Sequence, residues 1–138
     1  MNLIKLGIVF GGILSLALAV FHCRFYKRFN WQAEFEKMSL VNSKIFYTLN
    51  IALILFFLIF AFMSFSHAEE LSRGEGLAGV IVAAYSLFWL WRTVWQVIYF
   101  SPSKMNMKQS QLIMHYSLIL LFVVLFILYL APVASRLM

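Results

Sequence analysis

Tyr85-Ser86-Leu87-Phe88-Trp89-Leu90-Trp91-Arg92-Thr93-Val94-Trp95-Gln96-Val97-Ile98-Tyr99-Phe100 is the stretch on which the reading of this chain turns. It carries three of the four tryptophans and one arginine, with no acidic residue among them. Coiled as a helix, it puts Tyr85, Trp89, Arg92, Gln96 and Tyr99 at i, i+4, i+7, i+11 and i+14, which is a single face. An arginine turned to hydrocarbon costs about 2.5–3.5 kcal/mol even on insertion scales. The spacing therefore predicts the second half of a membrane span whose polar face looks toward other helices.

The rest of the composition agrees. Of 138 residues, 64% are hydrophobic and only 12% charged, more apolar surface than a soluble domain of this length can cover. A bilayer span needs about 20 predominantly apolar residues, and four such runs are present, near 3–21, 45–66, 77–100 and 111–133. The fold class expected is an all-α membrane protein, one domain of four transmembrane helices in a bundle. The net charge of +6 would suggest nucleic acid in a soluble protein. Here the basic residues flank the spans, so the partners expected are membrane lipids with anionic headgroups, and not nucleic acid. Cys23 is the only cysteine, so no disulfide forms within the chain.

Lys5 and the run to Ala17-Leu18-Ala19 imitate a signal peptide. Cleavage there would leave the strongly basic next segment outside, so the run is kept as a helix. Within it Gly7, Gly11, Ser15 and Ala19 recur every four residues, a stripe that lets another helix approach closely. The small residues that open the third span (Gly76, Gly79, Ala83) are its expected partner.

Residues 22–44 form the longest polar segment. Phe21, Phe25 and Phe29 recur among Arg24, Lys27 and Arg28, and Trp31, Phe35 and Met38 line up against Glu34, Glu36 and Lys37. This pattern predicts an extension of the first helix followed by an interfacial amphipathic helix between helices 1 and 2. Residues 67–76 read as a short turn with two glycines, and Ser101-Pro102-Ser103 ends the third span. Loops 22–44 and 101–110 hold seven lysines and arginines against three in the termini and the second loop. The positive-inside rule then puts both loops in the cytoplasm and both termini outside, in the plasma (inner) membrane.

That topology gathers polar residues at the cytoplasmic end: His22 and Tyr26, Tyr47 and Asn50, Arg92 and Gln96, His115 and Tyr116. No span contains a carboxylate and the chain has no aspartate. The charge of Arg92 must therefore be met by Gln96, Asn50, tyrosine hydroxyls, carbonyls, an aromatic face, a glutamate folding back from its loop, or an anionic ligand. The candidate anion or lipid site is Arg92, Gln96, Trp89, Tyr85, Tyr99, Asn50 and Tyr47. His22 and His115 are the only pair that could hold haem b axially. Their spacing is not diagnostic, and a histidine metal site would lack carboxylate or thiolate support apart from Cys23.

The absence of carboxylates from the spans disfavours a carboxylate-based exchanger, and no nucleophile elbow or phosphate loop is present. The function expected is a non-enzymatic accessory, assembly or interaction subunit, with a membrane protein or a second copy of itself as partner and a lipid held near Arg92. The alternative is a membrane-embedded redox or lipid-modifying enzyme using His22, His115 and Arg92. A weaker one is an oligomeric organic-anion transporter.

Overall fold

The computed structural model describes residues 2–138, and they form helices joined by short connections. The elements are α1 (Leu3–Cys23), α2 (Phe25–Arg28), α3 (Trp31–Phe35), α4 (Leu40–Ser66), α5 (Ala68–Arg73), α6 (Gly76–Ile98), α7 (Pro102–Met105) and α8 (Gln109–Leu137). No strand is present among the described residues. Four helices (α1, α4, α6 and α8) are long and apolar enough to cross a membrane. Their large outward-facing side chains are apolar too: Ile59, Phe62, Val80 and Leu120 are all exposed. In water such a surface would be untenable, whereas in hydrocarbon it is at home. This is the expected all-α membrane protein with four spanning helices.

The chain divides into two compact units. One takes the chain up to Gly11 together with His67–Met138; the other is Gly12–Ser66.

In the first unit α6 and α8 run antiparallel, and their facing residues form a continuous aromatic core. Tyr85 meets Tyr129 edge-on at 4.6 Å, and Trp89 stacks on Phe122 at 5.3 Å. Between them Ser86 Oγ donates to the Phe126 carbonyl at 3.3 Å. Offset and edge-to-face rings add about 0.5–1.5 kcal/mol per pair beyond the area they bury. The start of α1 lies against α8: a Cβ on Gly7 would stand 3.3 Å from Leu128, and one on Gly11 would stand 2.8 Å from the Tyr129 ring. Gly7 and Gly11, the first half of the small-residue stripe, thus form a seam, but their partner is α8 and not the start of α6. Gly79, in the first turn of α6, lies instead against the backbone of Gly74 in the preceding turn. Gly74 ends α5 in the left-handed region (φ 61°) with its carbonyl accepting from Arg136 Nη1 at 3.0 Å. A side chain there would be strained and would also strike Pro132.

In the second unit the remainder of α1 and α4 come together, with Gly12 against Ser64 and Phe65. The expected extension and amphipathic helix are two separate single turns, α2 and α3, because Asn30 between them takes a left-handed conformation (φ 50°). A short polar residue such as asparagine tolerates that region where most others do not. Phe25 still packs edge-on against both Phe21 and Phe29 at 5.0 Å, and Trp31 lies 5.3 Å from Phe35 and 5.4 Å from Phe46. Helix α4 begins five residues ahead of its apolar run. Ser39 Oγ accepts the Asn42 amide at 3.3 Å, an N-cap on the first turn. Residues 68–73, expected as turn, form the single helix α5, whose Ala68, Leu71 and Ser72 are buried.

Candidate functional site

Packing of α6 on α8 decides which of its residues turn inward. Tyr85, Trp89 and Gln96 are buried, as the spacing predicts. Tyr99 is not: it follows the last residue of α6, is 63% exposed, and stacks on Trp95 at 4.8 Å. With Trp91, 5.9 Å from Trp95, it belongs to an outward aromatic ladder on the opposite side. Such rings at a helix end suit the headgroup boundary.

Arg92 is half-buried at the edge of the inward face. Its guanidinium carbon stands 4.9 Å from the centre of the Phe122 ring and 5.7 Å from that of Phe100. Nη2 donates to Gln96 Oε1 at 3.0 Å. Gln96 Nε2 in turn lies 3.0 Å from His115 Nδ1. Because the amide oxygen of Gln96 is turned to the arginine, its NH2 must face the imidazole, which therefore accepts at Nδ1 and carries its proton on Nε2. Gln96 and His115 are 4% and 3% exposed, so this row of three side chains is held in a low-dielectric setting where each bond counts for more. One atom is left over. Arg92 Nη1 is buried and has no hydrogen-bond partner among the described residues.

Of the ways the sequence offers to meet the arginine's charge, the structure provides two, an amide oxygen and aromatic faces. A desolvated cation over a ring is stabilised by about 2 kcal/mol or more. Glu34 is paired with Lys37 at 3.3 Å. Phe122 and Phe100 were missing from the expected site. Phe122 was legible as the residue one heptad after His115, hence on the same face of α8.

The other expected site residues stand in the second unit. Asn50 is buried, its Nδ2 donating to the His22 carbonyl at 3.3 Å, and its Oδ1 has no partner among the described residues. His22 Nδ1 lies 2.9 Å from the Leu18 carbonyl, and the ring stacks on Phe25 at 4.2 Å. Tyr47 is exposed, with its ring 6.2 Å from that of Tyr26. In the tautomer fixed by Gln96, His115 Nε2 carries the proton and offers no lone pair to a haem iron. Among the described residues no three His, Cys, Asp or Glu side chains are gathered as metal ligands. Comparison with protein-family models, curated proteins and solved structures finds no match to this chain.

Proposed function

We propose that this small multi-pass membrane protein is a non-enzymatic accessory, assembly or interaction subunit that holds an anionic lipid or ligand group on Arg92. The observation that carries this reading is Arg92 Nη1, a buried charged donor that no acceptor among the described residues meets. A buried polar group without a partner costs about 1–3 kcal/mol, more when charged, and an acceptor oxygen supplied from outside the chain would remove that cost. Gln96 supports the role, since it fixes Nη2 from the side and leaves the rest of the fork to a phosphate or carboxylate. The basic residues of 22–44 and 101–110 support a cytoplasmic placement of those loops. The aromatic and basic pattern of α2 and α3 suits the headgroup level.

Native mass spectrometry from mild detergent tests this on wild type, Arg92→Lys and Arg92→Leu. Lysine keeps the charge but lacks the planar fork. Both variants are expected to fold and to lose the bound anionic species. Leucine removes a desolvated charge but strands the buried Gln96 amide oxygen, so the two effects oppose and the melting temperature should move little. Unchanged anion content in both variants would end the binding-site reading, and a Soret band in the same preparation would redirect it to His22 and His115.

A further inference from the structure

A second site stands in the other unit, independent of Arg92. The first turns of α4, with α2 and α3, border an open groove of about 550 Å³ lined by Tyr26, Phe35, Ser43, Lys44, Tyr47 and Thr48. That volume falls within the usual range for small-ligand sites. Its polar groups are not equivalent. Ser43 Oγ donates to the Leu40 carbonyl at 2.9 Å and Thr48 Oγ1 to the Lys44 carbonyl at 2.8 Å. Both hydroxyl protons are spent on the backbone, so these two residues offer the groove only acceptor lone pairs. The free donors are the Lys44 ammonium and the two tyrosine hydroxyls. None of the ion pairs among the described residues includes Lys44, and neither Tyr26 nor Tyr47 has a hydroxyl partner there. The tyrosine rings meet edge-on at 6.2 Å, and Tyr26 lies 6.1 Å from Phe35. One cation and two hydroxyl donors around an aromatic wall form a receptor for a phosphate.

What continues from the groove decides between a free phosphate and a lipid. Beyond Thr48 the same side of α4 presents Ile51, Leu55, Ile59 and Phe62 at steps of three and four, all exposed. An acyl chain attached to a phosphate in the groove would lie along that stripe. The flanking segment adds Arg24, Lys27, Arg28 and Lys37 against Glu34 and Glu36, a net positive rim that attracts anionic headgroups.

We infer that this groove binds the phosphate-bearing headgroup of an anionic phospholipid. Lys44 and the Tyr26 and Tyr47 hydroxyls hold the phosphate, and Ser43 and Thr48 accept from headgroup hydroxyls.

The full chain is placed in nanodiscs of phosphatidylcholine with a minor fraction of phosphatidylglycerol, and lipid retained after mild-detergent extraction is counted by native mass spectrometry. The comparison includes wild type, Lys44→Gln, the pair Tyr26→Phe with Tyr47→Phe, and Lys27→Gln, a neighbouring basic residue outside the groove. Each is also made on an Arg92→Leu background, so that lipid held at Arg92 does not mask the result. Circular dichroism confirms equal helicity. Lys44→Gln is expected to lower the preference for phosphatidylglycerol about tenfold, the loss of one charge-assisted contact, and the tyrosine pair several-fold, while Lys27→Gln leaves it nearly unchanged. Equal loss in Lys27→Gln would mean a diffuse field and would overturn the site, as would full retention in Lys44→Gln. Displacement of the lipid by soluble glycerol phosphate would overturn the assignment to a lipid and leave a soluble phosphate as the ligand.

Discussion

The ring of Tyr129 stands where a side chain on Gly11 would have to go: a Cβ built there falls 2.8 Å from Cε2 of the ring. Tyr129 is itself fully enclosed and packed edge-on against Tyr85, so it has no open direction in which to yield. Gly11→Leu should therefore overfill the seam and cost about 1–3 kcal/mol, whereas Ile13→Leu, at an exposed position, should be nearly neutral. Melting temperatures of the two variants in detergent check the assignment. An unchanged Gly11→Leu beside a destabilised Ile13→Leu would mean that the seam is on the wrong side of α1.

Gln96 serves two neighbours at once, accepting from half-buried Arg92 and donating to buried His115. Gln96→Leu leaves both without their partner and should destabilise by about 1–3 kcal/mol for each group stranded. Adding His115→Leu removes one of the stranded groups, so the double variant should be more stable than Gln96→Leu alone. Chemical or thermal unfolding of the three proteins decides it, and a double variant weaker than the single one would show that the imidazole is held by something other than Gln96.

At the other end of the first unit Lys5 Nζ lies 2.7 Å from Glu69, and Arg73 lies 3.4 Å from it. The Lys5 hydrogen bond first, then the Lys5 charge and the Arg73 hydrogen bond, hold the Glu69 carboxyl below its ordinary value of 4.5. Depression of a carboxyl in the folded state stabilises at pH above the ordinary value, and that gain is lost as pH falls through the folded one. The group is open to solvent, so the effect is small and screened by salt. Glu69→Gln should melt slightly lower than wild type at neutral pH and converge with it in acid at low ionic strength. A difference that persists in acid would assign the loss to packing.

Cys23 is exposed at the end of α1. If loops 22–44 and 101–110 face the cytoplasm, an impermeant thiol reagent should spare it in intact cells and label it after permeabilisation. A cysteine at Glu75, exposed before α6, should react from outside when Cys23 is replaced by serine. Labelling of Cys23 in intact cells would invert the topology.

Periodicity carried most of the fold, since apolar runs of bilayer length and the seven-residue return of Tyr85, Arg92 and Tyr99 depend only on helix geometry. It could not say where a helix ends its contact with a neighbour, and so Tyr99 was expected inward although it lies past the last turn of α6. The early start of α4 was marked by Ser39, three residues before Asn42, a cap signal masked by the polar character of the segment. The break at Asn30 depends on one left-handed residue, which an amphipathic pattern does not register. At the site, Arg92 and Gln96 were legible as neighbours one turn apart. His115 was legible as a polar residue of α8 but not as the acceptor for Gln96, because pairing between residues nineteen apart in sequence on two different helices depends on the register of those helices.

The row from Arg92 through Gln96 to His115 has a direction, and that direction limits what can travel along it. To pass a proton, each link must both take one and give one up. The guanidinium holds its protons, and a primary amide can hand one on only by becoming an imidic acid. The bonds that fix the imidazole therefore insulate it from the arginine: they can orient charge across the membrane interior without conducting it.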